Sequence, residues 1–384
     1  MVLKRLIRRV VGRPERQPDR TAGARQSCAG SSFVAFLTPS DEVQSVSAGE
    51  RLFASWASTR LRVLIPAAEL ARRLPVLLVP LTRFIADPSL KDLGAPHAIV
   101  VSKLTAGVVV SMQAELSDLL DSIADGSCRA RLFADLSDDY VALAEAMRAP
   151  FLEVYQRRLA ELCTLVVPCA ALRDAVAPLA RHGIEVIEDP YETIDAQPVR
   201  TRSTGTLRLC WFGNLGAPTN ARGLREALVA LARSSGDIGC RLELVASEQS
   251  RPLGVEIATA VNNAKPAWSV EYTAWSPAAV EAAIARSDFV VLPQEHRTAW
   301  GRVKSHNRLV QTIRCGRLAI ASPIPSYAEL ADYAWVGESI ADGLRWALQH
   351  PEHAAARVAS GQAYVAEHFS PEAIGAKWAR ALGV

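Results

Sequence analysis

The chain has 384 residues, 49% of them hydrophobic, which is enough to bury two cores of ordinary domain size. Its net charge of +3 and its composition exclude a disordered or fibrous protein. No apolar run reaches the roughly 18 to 20 residues that a membrane-spanning helix needs, because Pro, Lys and Arg interrupt the apolar segments at 76–81 and 99–112.

Residues 1–29 form a basic tail. Residues 1–25 contain eight Lys or Arg and only two acidic residues. In residues 1–11, apolar and basic residues alternate in pairs, which predicts an amphipathic helix able to lie on an anionic membrane surface. A frayed tail or a targeting peptide is an equal alternative, because so short a helix is marginal in water. The tail has no aromatic residue for stacking and the rest of the chain is slightly acidic, so we expect no nucleic-acid partner.

Residues 30–195 alternate between strand and helix patterns. Short apolar runs predict strands at 32–38, 61–65, 76–79, 98–101, 131–134, 164–167 and 185–187. Between them, helical patterns are found at 48–55, 67–73, 112–123, 139–158 and 170–181. This alternation predicts a parallel sheet covered by helices, a first Rossmann-like domain.

A polar stretch at 189–205 predicts a linker, and a second Rossmann-like series fills residues 205–365. Its predicted strands are 207–212, 241–245, 268–272, 289–292 and 318–321. Its predicted helices are 221–234, one from 254, 277–286, 305–315, one from 327, 340–350 and 351–369. A last helix at 371–382 lies in residues 366–384, which we expect to pack back toward the first domain.

The cysteines and histidines give no metal pattern. Seven cysteines are scattered without CxxC spacing, and no apolar signal core precedes them. His350 and His353 are one helical turn apart, but their Ala-rich segment is typical of an exposed helix. We therefore expect a cytoplasmic protein with no metal site.

The loop after the first strand of the second domain is a candidate anion site. It reads Trp211-Phe-Gly-Asn-Leu-Gly216 and precedes a helix. Ligands of open parallel sheets bind beyond the carboxyl ends of the strands, and Gly213 lets the backbone approach a ligand closely. Asn214 is included as a candidate contact. A plain tight turn is the alternative, because glycine often follows a strand for that reason alone.

A second candidate lies between Leu292 and Cys315, where Lys304-Ser-His-Asn-Arg308 precedes an apolar helix. Ser305 has a favoured N-cap identity, and Lys304 and Arg308 bring two cations to the positive end of the helix. This combination suits a diphosphate, with Lys304 as a point charge and Arg308 as a bidentate partner. A capped helix with solvated basic residues is the alternative. Glu295 and His296, after the preceding strand, are secondary candidates for a sugar.

These motifs resemble the nucleotide-sugar domain of GT-B glycosyltransferases, most nearly the family 4 type of bacterial cell-surface polysaccharide synthesis. The resemblance covers residues 207–330 and includes Ala319-Ile-Ala-Ser-Pro-Ile-Pro-Ser-Tyr-Ala-Glu329. The first domain matches mainly in layout, with similar segments at 135–140 and 186–192. The resemblance implies two Rossmann-like domains facing each other across a cleft and a nucleotide-sugar donor. It also implies a glycan or lipid-linked acceptor, bound by the first domain at 30–195, and no metal cofactor.

One departure from the family matters. Family 4 enzymes usually carry two glutamates, separated by seven residues, before the glycine that ends this helix. With Gly316 aligned to that glycine, these positions hold Val303 and Gln311. Gln311 retains the ability to bond a ribose hydroxyl, whereas Val303 cannot replace a carboxylate. Donor binding would then depend on the segment from Lys304 to Arg308, including His306 and Asn307.

Transfer from a nucleotide sugar requires stabilisation of the leaving diphosphate, a role that fits Lys304 and Arg308. If the reaction inverts configuration, a base must also deprotonate the acceptor hydroxyl. Asp135, just past a strand, is the candidate base, although a strand-end Asp often caps a helix or binds main chain. Asp138 and Asp139 are expected to cap the next helix.

The function predicted from the sequence is therefore a glycosyltransferase at the cytoplasmic face of the membrane. It would elongate a lipid-linked or cell-surface glycan. A GT-B epimerase or phosphorylase would use the same site for another reaction. The missing glutamates also leave a non-catalytic scaffold open.

Overall fold

A computed structural model describes residues 32–384 except 51, 53, 55, 194, 201–204 and 217. The chain forms two compact α/β units, one running to Pro190 and including Pro371–Val384, the other comprising Tyr191–Ser370. Each unit is built around its own, mainly parallel sheet, which confirms the α/β class and the two Rossmann-like domains. The basic tail and its predicted helix over 1–11 lie outside the described residues. Among the described helices, none is long and apolar enough to span a membrane.

The first unit contains a seven-stranded sheet with the order β2-β3-β1-β4-β5-β6-β7. All its pairings are parallel except that of β2 with β3. The strands are β1 Ser32–Thr38, β2 Gln44–Val46, β3 Val76–Pro80, β4 Ala95–Val101, β5 Arg131–Asp135, β6 Thr164–Val167 and β7 Ile184–Val186. Their apolar side chains are almost entirely buried, as expected for a sheet covered on both faces.

Among the described residues, seven helices up to Val176 belong to this unit, and a further helix lies at the end of the chain. The first, α1, is continuous through Ala57–Thr59, a π-helical turn at Arg60–Leu64, and Ile65–Leu70. The next six are α2 Leu81–Ala86, α3 Ala106–Ser111, α4 Gln113–Ala124, α5 Tyr140–Met147, α6 Phe151–Leu162 and α7 Ala170–Val176. The closing helix, Pro371–Leu382, buries Trp378 in the same core as β1 and β4.

The predicted strand at 61–65 and the predicted helix at 48–55 are wrong. Residues 61–65 are helical, since Leu and Arg are good helix formers and the segment continues into Ile65–Leu70. The chain before it makes the short strand β2 and then a turn in which Gly49 has a φ of 68°. This left-handed conformation suits glycine and interrupts a helix.

The single helix predicted at 139–158 is two helices. The first ends at Met147 because Arg148 adopts a φ of 51°. Pro150 then precedes the second helix, where its fixed φ suits a helix start.

The second unit contains a six-stranded, all-parallel sheet with the order β10-β9-β8-β11-β12-β13. Its strands are β8 Leu207–Phe212, β9 Cys240–Ala246, β10 Trp268–Ala274, β11 Phe289–Leu292, β12 Leu318–Ala321 and β13 Trp335–Val336. Its helices are α8 Pro218–Ser234, α9 Arg251–Ala264, α10 Pro277–Arg286, α11 Ala299–Arg302, α12 Asn307–Arg314, α13 Pro325–Ala328, α14 Ile340–Gln349 and α15 Pro351–His368. Two buried clusters, one on each face of the sheet, form its core.

Helix α14 packs closely on this sheet at Gly343. A Cβ atom added there would lie 2.4 Å from the Trp335 ring and 2.5 Å from the Ile320 side chain. These contacts are far shorter than van der Waals distance, so the position admits only glycine without movement of the helix.

We expect Gly343→Ala to lower the free energy of unfolding by about 1 to 3 kcal/mol, the usual cost of overpacking. Gly223→Ala is the matched control, because Gly223 also lies in a helix but a Cβ there meets nothing within 4 Å. The control should gain up to about 1 kcal/mol from helix propensity. Chemical denaturation of both variants measures the difference, and equal midpoints would contradict the packing described here.

Candidate functional site

The second sheet has a switch point between β8 and β11. The chain runs from β8 through β9 to β10 on one side and then crosses to β11 on the other side of β8. Ligands of open parallel sheets bind beyond the carboxyl ends of the strands at such a point. Gly213 follows β8 and Gln294 follows β11, so both lie at this edge.

Arg308, in the first turn of α12, reaches both strand ends. Its Nη1 atom donates a hydrogen bond of 3.4 Å to the Phe212 carbonyl, and its Nη2 atom donates to the Gln294 side-chain oxygen. The Gln294 backbone N–H donates in turn to the Ser322 hydroxyl at the end of β12, at 3.0 Å. A Cβ atom at Gly213 would lie 3.1 Å from Arg308 Nη1, so the absence of a side chain there makes room for the guanidinium.

The positive charge of Arg308 has only neutral partners. Within the described part of the chain, no carboxylate lies within ion-pair distance of its guanidinium, and its partly buried position limits hydration. The N-terminal end of α12 adds the partial positive charge of a helix terminus. This edge of the sheet is therefore electropositive and suited to an anion.

Lys304 lies in the segment that leads into α12. Its ammonium is 5.3 Å from the centroid of the Trp300 ring, and its carbonyl accepts a 2.5 Å hydrogen bond from the Ser326 hydroxyl. Asn307 is the first residue of the helix. The structure thus places Lys304, Asn307 and Arg308 at or just before one helix start, as the sequence predicts.

The helix begins at Asn307, so His306 rather than Ser305 occupies the N-cap position, and the His306 side chain makes no capping hydrogen bond. His306 is 1% exposed and packs edge-on against the Phe369 ring, with 5.0 Å between centroids. A ring so deeply buried is a core residue, which argues against the predicted ligand contact of His306.

Gln311 does not extend a free amide to a ligand. Its Oε1 atom accepts a 3.0 Å hydrogen bond from the Glu192 backbone, and its Nε2 atom donates to the Thr193 hydroxyl. Thr193 also contacts the Cys315 sulfur at 3.6 Å, and burial raises the pKa of that thiol to about 11. The residue predicted to bind a ribose instead fastens the segment around 192–193 to α12. Val303, the other position of the family's glutamate pair, is buried.

Glu295 and Asn214 hold their own loops. The Glu295 carboxylate accepts hydrogen bonds from the backbones of Arg297 and Thr298, at 2.6 and 3.3 Å. Asn214 accepts a 2.7 Å hydrogen bond from Gly216. The His296 ring bridges the Gln294 carbonyl and the Glu338 carboxylate at 3.1 and 3.0 Å. These side chains shape the loops, so direct ligand contact by Glu295 or Asn214 stays a prediction.

Asp135, the predicted base, lies in the first unit in a buried ion pair. Arg62 donates to both of its carboxylate oxygens, with a closest distance of 2.6 Å, and to Asp189 at 3.2 Å. Burial raises the pKa of Asp135 while Arg62 opposes that rise. Burial opposes the charge of Arg62 itself, yet the two carboxylates outweigh it and raise the pKa of the guanidinium. An aspartate held on both oxygens is a poor proton acceptor, so we assign it a structural role.

Sequence reasoning missed Arg62 and Gln294. Arg62 is 1% exposed, and its guanidinium also lies 5.8 Å from the Trp378 ring. The available signal was a charged residue inside the apolar run Leu61-Arg-Val-Leu-Ile65. For Gln294, the signal was its position just after the predicted strand at 289–292. In the described residues, no group of three His, Cys, Asp or Glu side chains is placed to hold a metal.

We expect Asp135→Asn to lower the free energy of unfolding by about 3 kcal/mol, because it leaves part of a buried guanidinium charge uncompensated. Glu153→Gln is the matched control, since Glu153 forms an exposed pair with Arg157 in the same unit. The control should cost less than about 1 kcal/mol. Urea titration measures the stability of both variants. If Asp135→Asn is as stable as Glu153→Gln, the structural role of Asp135 is contradicted and a role as the base becomes possible again.

Comparison with known proteins shows similarity in structure only. No family model and no curated protein matches the chain. A crystal structure of HepE from Anabaena, in complex with UDP and glucose, is similar over 91% of this chain and 99% of its own, with a TM-score of 0.64 and 14% identity. A trehalose-6-phosphate structure from E. coli, bound with UDP-2-fluoro glucose, is similar over 92% of this chain and 99% of its own, with a TM-score of 0.62 and 12% identity.

A third similar structure is a UDP-forming α,α-trehalose-phosphate synthase from Burkholderia xenovorans in complex with glucose-6-phosphate. It covers 92% of this chain and 100% of its own, with a TM-score of 0.54 and 11% identity. At such low identity these likenesses establish the fold. The chain has the predicted GT-B fold.

Proposed function

We propose that the protein is a glycosyltransferase that moves a sugar from a nucleoside diphosphate sugar to a hydroxyl group of an acceptor. The observation that carries the proposal is the Arg308 guanidinium, which lies at the switch point of the second sheet and has no carboxylate partner among the residues that the structure describes. Support comes from similar structures that contain UDP and glucose or UDP-2-fluoro glucose.

The chemistry assigns a role to the charges at this edge. During transfer, the bond between the anomeric carbon and the diphosphate oxygen breaks, and a bond to the acceptor oxygen forms. The departing diphosphate gains negative charge, which Arg308, Lys304 and the α12 terminus would stabilise in a preorganised arrangement. The acceptor proton passes to a base that we do not assign, since Asp135 is committed to Arg62.

The finer assignment is a family 4-like enzyme of cell-surface glycan synthesis with a glycan or lipid-linked acceptor. It is supported by the motifs between 207 and 330 and by the basic residues of the tail, which would hold the enzyme at the cytoplasmic face of a membrane. Donor binding would differ from family 4 at Val303 and Gln311, where no carboxylate is present.

A non-catalytic GT-B protein is the second candidate, favoured by one observation. Gln311 occupies a position of the glutamate pair, and its amide is bound to residues 192 and 193. Nucleotide binding without transfer to any acceptor would favour this candidate over an enzyme.

We expect a UDP, GDP or dTDP sugar to raise the melting temperature, because a ligand at 100 times its Kd adds about 2.7 kcal/mol to stability. Arg308→Ala should weaken nucleotide affinity about 10- to 100-fold, the value of hydrogen bonds to a charged group. Calorimetric titration measures this loss. Arg302→Ala is the control, because Arg302 is exposed and only six residues away. No stabilisation by any of the nucleotide sugars, or equal affinity in both variants, would contradict the proposal.

We also expect Gly213→Ala to weaken nucleotide binding at least about fivefold, because the new Cβ would crowd Arg308 Nη1 and the Trp211 ring at 3.1 and 3.0 Å. The double variant with Arg308→Ala should bind no more weakly than Arg308→Ala alone, since both changes act on one guanidinium. Additive losses would show that Gly213 acts elsewhere. Gly223→Ala again provides the control with open space.

A further inference from the structure

Gln294, the second residue after β11, is held on both sides of its backbone. Its N–H donates a 3.0 Å hydrogen bond to the Ser322 hydroxyl, and its carbonyl accepts one of 3.1 Å from Nδ1 of the His296 ring. Ser322 is fixed in turn, because it is 5% exposed and its N–H donates to the Leu292 carbonyl at the end of β11. Gln294 therefore has a defined position at the carboxyl edge of the second sheet.

The side-chain amide of Gln294 is used on one side only. Its Oε1 atom accepts a hydrogen bond from Arg308 Nη2. Its Nε2 atom bonds to no described residue and stays accessible, since the residue is only partly buried. Two N–H donors are thus available directly beside the guanidinium. A ligand that binds Arg308 would meet both groups.

Two carboxylates border this loop, and neither neutralises Arg308. Glu295, the residue after Gln294, accepts hydrogen bonds of 2.6 and 3.3 Å from backbone N–H groups of its own loop. The Glu338 carboxylate lies 3.0 Å from Nε2 of the His296 ring. Both acidic side chains are therefore engaged away from the guanidinium, which leaves the amide of Gln294 as the side chain that contacts it.

The neutrality of Gln294 keeps the charge of Arg308 available. Glutamate has nearly the same shape, and at this position its carboxylate would form an ion pair with the guanidinium. Glu243 forms such a pair with Arg286 in the same unit, at 2.9 and 3.1 Å. A pair at Arg308 would offset its positive charge and repel an incoming anion. An amide instead orients the guanidinium and leaves its charge without a counter-charge.

We propose that Gln294 selects an anionic ligand for this edge of the sheet. Its Oε1 atom orients Arg308 without neutralising it, and its Nε2 group donates a hydrogen bond to the same anion. Donors from a guanidinium and an amide, side by side, suit adjacent oxygens of a diphosphate. That the anion is the diphosphate of a nucleotide sugar rests on the proposed function, whereas the selection of an anion by Gln294 does not.

The test is calorimetric titration of the full chain with UDP and with inorganic pyrophosphate. Gln294→Glu should weaken the binding of both at least about 10-fold, because the new carboxylate pairs with Arg308 and repels the anion. Gln294→Ala should weaken it about 3- to 10-fold, since it removes one donor and the orienting acceptor but adds no charge.

Gln349→Glu is the matched control, because it makes the same charge change at an exposed position, the end of α14 in the same unit. It should bind both anions as the parent protein does. If Gln294→Glu binds them as tightly as Gln349→Glu, the proposal is overturned.

Stability separates the selection of a ligand from a structural role of Gln294. Gln294→Glu replaces a neutral hydrogen bond by an ion pair, so it should melt at or above the temperature of the parent protein while binding anions less well. A glutamine that only holds the fold cannot give these opposite changes. A clear fall in melting temperature together with the loss of binding would attribute that loss to a damaged fold and overturn the proposal.

Failure of this inference is distinguishable from failure of the proposed function. If pyrophosphate binds, Gln294→Glu abolishes that binding, and no nucleotide sugar binds, the role of Gln294 stands and the glycosyltransferase proposal fails. If UDP binds, Arg308→Ala weakens that binding and Gln294→Glu does not, the reverse holds.

Discussion

The carboxyl edge of the second sheet is organised around one charge, that of Arg308, which the described part of the fold does not compensate with a carboxylate. Arg308 extends from the first turn of α12 to the ends of β8 and β11, where it bonds a carbonyl and an amide oxygen but, in the described part of the chain, no carboxylate. A partly buried cation with neutral partners costs free energy that an anion would offset. The glycine after β8, the polar residue after β11 and the helix start all converge on this guanidinium. An anion held there would lie at the switch point of the sheet.

Two arginines that are more deeply buried than Arg308 have structural roles. Arg62 is held by Asp135 and Asp189. Arg317 is 4% exposed and donates to five backbone carbonyls, of residues 198, 285, 287, 315 and 316. Every guanidinium nitrogen of Arg62 and Arg317 donates a hydrogen bond to the protein. Arg308 donates two such bonds to described residues and remains partly exposed. The contrast between these arginines and Arg308 is the reason why we propose Arg308, and not Arg62 or Arg317, as the ligand-binding arginine.

The sequence predicts the fold class and the position of the basic segment before α12, because both follow from local patterns. Apolar runs followed by glycine or basic residues mark the strand ends and the α12 segment from Lys304 to Arg308. The roles of Gln311 and Asp135 could not be predicted this way. Their partners are 118 and 73 residues away along the chain, Thr193 for Gln311 and Arg62 for Asp135. The helix at 61–65 could not be told from a strand for a different reason. An apolar run of five residues is too short to show the periodicity that separates a buried helix from a buried strand.

A crystal structure of the protein with UDP would show whether Arg308 binds the diphosphate. We expect the diphosphate to lie within hydrogen-bonding distance of the Arg308 guanidinium and beside the backbone at Gly213, with the start of α12 directed at it. We also expect Gln311 to keep its bonds to the segment at 192–193. A diphosphate bound elsewhere on the chain, with Arg308 still bonded to Phe212 and Gln294, would contradict the role that we assign to Arg308.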